Sequence, residues 1–365
     1  MSTPPKDVAQ SPPLKAADLP FITAEIAPIA ARIKEAPSDF VVHELPAYAP
    51  TGSGDHLWVH FEKEGLGTPD AVKRIARALG VEPRDAGYAG LKDRHAITTQ
   101  WASFLFGKAE KLENVELENI RLLTVTRHTA KLRTGHLRGN RFELVLRGAS
   151  QARSKDVERV FALLAERGVP NYFGEQRFGF DGRNIDEAKR WIVENGHAPR
   201  DQWKRKLLVS VLQSVVFNDV VATRIRDGLF DDAVAGDLLR KEDTGGLFTT
   251  DDLEDARARV RAWAVSPTGP MFGTGMRPAE HEANKRELES LARTGLTPEH
   301  LVRFGRAGEG TRRVMRIRPT DVTIEWSAEE TLKLGFSLMR GAYATVVVRE
   351  LTKGVTPNLD TGGED

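Results

Sequence analysis

HLWVHFEKEGLGTPDAVKRIARALG, residues 56–80, carries both structural periods of the chain in a single run. HLWVHFE alternates with period two, the pattern of a strand; His56 and His60 flank Trp58 on it, where lone histidines are structural more often than ligands. TPDAVKRIARALG then changes to a helical period. Thr68 is the expected N-cap, Pro69 suits the first helical position, Val72, Ile75, Ala76 and Leu79 form one apolar stripe, and Gly80 stops the helix.

Outward from this run the two periods keep interleaving. QWASFLF resumes a strand, which leaves GLKDRHAITT on a loop between elements, and loops on a rigid scaffold are where catalytic groups tend to sit. NRFELVLR, residues 140–147, alternates cleanly, with Phe142, Leu144 and Leu146 on one face. SKDVERVFALLAERG is an amphipathic helix through Val157, Val160, Phe161 and Leu164, and PNYFGEQRFGFDGRN is a loop rich in Gly, aromatics and Arg. From about residue 185 to 305 helices predominate, one of them around LLVSVLQSVVFNDVVATRIRDG, interrupted by the Gly/Pro-rich SPTGPMFGTGMRP. DVTIEW and TLKLGFSL return to strands, while YATVVVREL, residues 343–351, fits a strand or a helix. Strands at both ends around a helix-rich middle predict an α+β domain interrupted by an inserted one. Residues 1–30 read as a loose N-terminal extension and residues from Gly354 as a loose tail.

The totals remove several function classes. The 365 residues are 40% apolar and 29% charged, as in a soluble globular protein, and uninterrupted apolar runs fall well short of the ~18 residues that span a bilayer. With no signal core at the N-terminus, a cytoplasmic location is expected. The absence of cysteine excludes disulfides, thiolate metal sites and cysteine nucleophiles. The nine histidines are scattered, so no metal is expected, and phosphate-loop, dinucleotide-binding and serine-elbow motifs are missing. Net charge is only +1, but it is unevenly spread. Residues 121–147 hold seven Arg or Lys against Glu143, and residues 303–318 hold six Arg against Glu309, which suggests surfaces for a polyanion.

GYAGLKDRHAITTQ, residues 87–100, places Asp93 between Lys92 and Arg94. A carboxylate between two cations can stay ionised beneath a substrate and serve as nucleophile or base, although the same triplet also suits a solvated turn. GNRF sets an amide, Asn140, beside an aromatic, Phe142, in the most basic segment; the pair could contact a base, or Phe142 could simply be core. NYFGEQRFG suits either close approach by a phosphate or a packed domain junction.

Five of these stretches, APSDFVVHE, GYAGLKDRHAITTQW, KLRTGHLRGNRF, VPNYFGEQRFG and GAYATVVVREL, resemble in type and order the motifs of the TruD family of transfer RNA pseudouridine synthases, across residues 32–352. The resemblance implies a pseudouridine synthase catalytic core with a mixed, largely antiparallel sheet, formed by residues 31–167 and 318–353, and a helix-rich TRUD insertion at 168–317. It implies transfer RNA as partner and no cofactor or metal; nothing in the sequence demands a partner subunit, so a monomer is expected. It also implies the reaction: a uridine, customarily uridine 13 of the D arm, is flipped out, its N-glycosidic bond is broken, and the uracil is rejoined through C5. By motif, Asp93 is then the nucleophile; Phe40, Asn140 and Tyr343 contact substrate; Phe142, Lys34, Glu44 and Lys92 complete the pocket. Lys92 and Arg94 are expected to keep Asp93 charged. Met339 stands where the family commonly has proline. Two other readings are an RNA-binding protein without catalysis and a glycosidase using Glu44 and Asp93.

Overall fold

The computed structural model describes residues 18–354. In chain order it contains β1 (Phe40–Pro46), β2 (His56–Lys63), α1 (Thr68–Leu79), β3 (Gly87–Tyr88), β4 (Ile97–Leu105), β5 (Ile120–His128), β6 (Leu137–Arg147) and α2 (Ser154–Arg167). Next come β7 (Val169–Pro170), α3 (Arg183–Ile192), α4 (Gln202–Arg226), β8 (Leu239–Lys241), β9 (Leu247–Phe248), α5 (Leu253–Arg261), β10 (Val265–Met271), α6 (His281–Arg293), α7 (Pro298–Val302), β11 (Thr311–Val314) and β12 (Arg316–Ile317). The chain closes with β13 (Thr320–Ala328), β14 (Thr331–Met339) and α8 (Ala344–Thr352). Two compact units divide it, one of Ile26–Ala162 with the residues from Pro319 onward, the other of Leu163–Arg318 with the residues up to Glu25.

The first unit is built on an eight-stranded sheet in the order β13-β14-β6-β1-β4-β2-β5, with β3 added to β4. Only the β1–β4 pairing is parallel, so the sheet is mixed and largely antiparallel, as expected of an α+β fold. Register aligns the apolar residues: Val42 lies opposite Phe142 and Phe142 opposite Phe336, so one face carries Phe40, Val42, Phe142, Leu144, Leu334 and Phe336, all buried. On the same sheet, Leu57, Val59, Phe61, Ala102 and Phe104 receive Ala71, Val72, Ile75, Ala76 and Leu79 of α1. Each large side chain buried in this way stabilises the unit by about 1.5–3 kcal/mol.

Three local readings change. Gly67, not Thr68, caps α1; Thr68 is its first residue, buried, and its hydroxyl is used elsewhere. Gly80 ends the helix as expected, in the left-handed conformation (φ +69°). The ambiguous YATVVVREL is the helix α8, with Val346, Val347 and Val348 buried, so packing overrides the strand preference of the valines. Part of the expected loose N-terminal extension is packed: Leu19, Ile22, Ile26 and Ile29 are buried. The first 17 residues and the tail after Gly354 lie outside the described residues.

The second unit holds more strand than its helical periods suggest. Its four-stranded sheet runs β11-β10-β8-β9, and β7 pairs with β12. The first half of the Gly/Pro-rich stretch lies in the buried central strand β10. Its prolines fit because β8 pairs with Val265–Pro267 and β11 with Thr268–Met271. Pro267 therefore turns its nitrogen toward Met315, whose carbonyl accepts the Asn171 N–H instead, and the Pro270 nitrogen points to the side that β8 does not reach. Helix α4 is long and apolar enough to cross a membrane by length and composition, which the short apolar runs did not suggest; 83% of its apolar window is buried inside the protein, as in a core helix.

Three of the six arginines of residues 303–318 are structural. Arg312 pairs with buried Glu287 at 2.6 Å, Arg316 lies buried over the Trp263 ring at 3.8 Å, and Arg313 lies over Phe173 at 4.3 Å and donates to Asn171 Oδ1. For these three the polyanion reading is corrected, since their guanidinium groups cross-link the second unit, whereas Arg306 and Arg318 are exposed.

Candidate active site

β3 and β4 are consecutive, antiparallel and paired, so the chain between them, residues 89–96, must leave the sheet and return to it. Asp93 lies on this loop, its side chain 16% exposed. One carboxylate oxygen accepts the His95 N–H at 2.9 Å, and the other forms an ion pair with Lys34, which is buried and comes from before β1. The Lys34 ammonium also sits 4.2 Å above the Phe40 ring.

The cations adjacent to Asp93 in sequence do not touch its carboxylate. Lys92 reaches inward to Glu44 Oε2 at 2.9 Å, an ion pair with both side chains buried, and Arg94 donates to the Gly65 carbonyl at 3.3 Å. The expectation that Lys92 and Arg94 hold Asp93 in its charged form is therefore corrected: on an extended loop successive side chains point to opposite sides, and Lys34 supplies the counter-charge from a distance.

The other oxygen of Glu44 accepts the Trp101 N–H at 3.2 Å, so this carboxylate is fully engaged. Asn140 lies opposite Glu44 in the β1–β6 register, and its Oδ1 is buried without a hydrogen-bond partner among the described residues. Phe142 contacts Phe40 edge-on at 6.2 Å and Phe336 at 5.6 Å. Both Phe40 and Phe142 are buried, so Phe142 takes the core reading of the two considered. Lys34, Phe40, Asp93, Glu44, Lys92, Asn140 and Phe142 thus form one connected neighbourhood. Tyr343 is not tied into it: it stands at the head of α8, 48% exposed, with no ring contact or side-chain hydrogen bond among the described residues.

Thr68, expected only as a helix cap, Gln100 and Lys63, to which the sequence reading gave no role, hold the loop. Thr68 Oγ1 accepts the Lys92 N–H at 2.9 Å and donates to Gln100 Oε1 at 2.9 Å, a buried relay from α1 to β4. Lys63, buried at the end of β2, donates to the carbonyls of Leu66 at 2.6 Å and Asp93 at 2.8 Å. Burial pushes the Lys63 ammonium down to about 8; Asp93 opposes that shift and Lys92 adds to it. Its signal was present in HLWVHFEK, where Lys63 falls in phase with Leu57, Val59 and Phe61 on the buried face. Among the described residues no group of three or more His, Asp or Glu is arranged to hold a metal ion.

Comparison with known proteins shows the family. A family profile described as tRNA pseudouridine synthase D (TruD) matches residues 18–197 and 201–351. A tRNA pseudouridine synthase D of Anaeromyxobacter dehalogenans is 47% identical over 341 residues, 92% of this chain and 97% of its own. One from Thermus thermophilus is 41% identical over 335 residues, covering 92% of each chain. A crystal structure of a TruD candidate from Methanosarcina mazei matches in fold with a TM-score of 0.74 at 21% identity, over 92% of this chain and 97% of that one. The class these matches define is a pseudouridine synthase, an isomerase. Within that class, the chain belongs to the tRNA pseudouridine synthase D (TruD) family.

Proposed function

We propose that this protein converts a uridine of transfer RNA, uridine 13 of the D arm, to pseudouridine, with Asp93 as its nucleophile. The observation that carries the reading is the unequal state of the two site carboxylates. Each is held by one lysine and one N–H, but the Glu44 side chain is 1% exposed whereas that of Asp93 is 16% exposed. A single solvent-accessible carboxylate suits attack on a flipped nucleotide, and the burial of the other disfavours a glycosidase, which needs two working acids.

The target base leaves its stack at a cost of a few kcal/mol, and a shaped pocket offsets this. Asp93 then either attacks the ribose C1′ or the uracil ring, or removes the ribose 2′ proton. By each route the N1–C1′ bond breaks, a C5–C1′ bond forms, C5 loses a proton and N1 ends with one. The reading takes Asn140, whose Oδ1 is buried without a partner among the described residues, as a hydrogen-bond acceptor for the detached base. The same reading has the enzyme act as a cytoplasmic monomer, and it takes Tyr343 as a substrate contact made only once RNA is bound.

The test is to incubate the protein with an unmodified transfer RNA transcript and map pseudouridine. Wild type is expected to form it at position 13, and Asp93→Asn is expected to lower kcat by on the order of 10⁴ or more with RNA affinity retained. No product from wild type, or full activity in Asp93→Asn, overturns the reading. RNA binding whose effect in cells survives Asp93→Asn would favour the RNA-binding alternative.

A further inference from the structure

Lys63 is a buried cation with no carboxylate in contact among the described residues. It closes β2 in phase with Leu57, Val59 and Phe61 and is 1% exposed. Its three donors are directed at backbone carbonyls: Leu66 at 2.6 Å, Asp93 at 2.8 Å and, more weakly, Lys92 at 3.5 Å. Two of these belong to the peptide units on either side of the Asp93 Cα. The amide preceding Lys92 is fixed independently by Thr68. The backbone that aims the Asp93 carboxylate toward Lys34 is thus clamped from below by one ammonium and one hydroxyl, both rooted in secondary structure.

We infer that Lys63 is a positioning residue for the reaction, its ammonium fixing the Lys92–Asp93 backbone so that the Asp93 carboxylate stays directed at the substrate. This rests on Asp93 acting as proposed above. A buried lysine that merely stabilised the fold would leave catalysis insensitive to its own protonation. A positioning lysine would not, because the neutral amine has one donor fewer for its three carbonyls. The charged groups around it are Asp93 and Lys92 on the loop, Lys34 against Asp93, Glu44 against Lys92, and Arg94 on the Gly65 carbonyl. Burial lowers the Lys63 ammonium from its ordinary 10.5 to about 8.

The experiment follows the wild-type protein with ¹⁵N-labelled lysine and backbone amides across the range around pH 8, alongside steady-state kinetics on transfer RNA and on the Lys63→Met variant. The expected result has three parts. The Lys63 Nζ titrates, the amides of Asp93, Arg94 and His95 shift with the same midpoint, and kcat falls on that midpoint while KM changes less than about twofold. Lys63→Met, of similar length without donors, lowers kcat by about 10–100-fold and lacks the alkaline limb. Loop amides that ignore the Lys63 titration, a folded Lys63→Met with wild-type kcat, or an alkaline limb that persists in Lys63→Met would each overturn the inference. Should Lys63→Met fail to fold, the wild-type amide and kcat titrations decide by themselves. A wild type inactive on transfer RNA at every pH would sink the proposed function, while the amide titration would still report on the clamp.

Discussion

Lys34 adopts a left-handed backbone (φ +59°), a conformation that costs a non-glycine residue about 1–3 kcal/mol and persists where surrounding structure enforces it. Here it turns the ammonium between the Phe40 ring and Asp93. Thr68 is equally specific in use. Thr68→Val keeps the shape but leaves the part-buried Lys92 N–H without its acceptor, so unfolding free energy should drop by about 1–3 kcal/mol in urea denaturation and kcat should fall, with Thr68→Ser restoring most of both. For Lys63 the linkage sign is unusual. Its folded-state value of about 8 lies below the ordinary 10.5, so between those values the unfolded chain binds more protons than the native one. The burial cost is present in full below pH 8 and is relieved as pH rises toward 10.5. Denaturation at about pH 7 and above about pH 9 should therefore show wild type gaining stability relative to Lys63→Met, even as its activity declines. None of these contacts is visible in the local sequence, because Lys34 and Asp93 are 59 positions apart and Lys63 and Asp93 are 30.

Elements explain why the loop motif begins as it does. GYAGLKDRHAITTQ has two glycines before Asp93, and the structure separates their roles. A Cβ at Gly87 would stand 2.1 Å from the Leu132 carbonyl oxygen and 2.8 Å from Ser103 Oγ, whereas one at Gly90 would meet nothing within 4 Å. Gly87→Ala should therefore displace β3 from β4, lowering stability by about 1–3 kcal/mol and activity with it, and Gly90→Ala should change stability by less than about 0.5 kcal/mol; thermal melts and kcat of the two variants check this. Periods longer than one element were legible: α1, α2, β6 and β14 stand where their apolar stripes place them. Where reading failed, a neighbour had decided the matter. β10 is a strand despite two prolines because its partners each take half of it, and α8 is a helix despite three consecutive valines.

At the scale of the whole molecule, arginine count is a poor guide to an RNA-binding surface. Arg312 is buried against Glu287, whose carboxyl burial already pushes upward, so Arg312→Ala would strand that group and should cost about 3–5 kcal/mol in thermal or chemical denaturation. Its effect on RNA affinity, measured on folded protein, should be slight. Arg133 and Arg138, from the other basic segment, are exposed, and replacing either with alanine should leave stability nearly unchanged while reducing the salt-dependence slope of transfer RNA binding by about one. By itself the sequence determined the α+β class, the periods of the principal elements and the loop that carries Asp93, because alternation, helical stripes and a contiguous motif are all short-range properties. Only the tertiary structure decided that Lys34 rather than Lys92 or Arg94 meets that carboxylate, that Glu44 is spoken for, and that Lys63 and Thr68 hold the loop from beneath. Charge pairing is a matter of distance in space, and which strands lie side by side sets that distance.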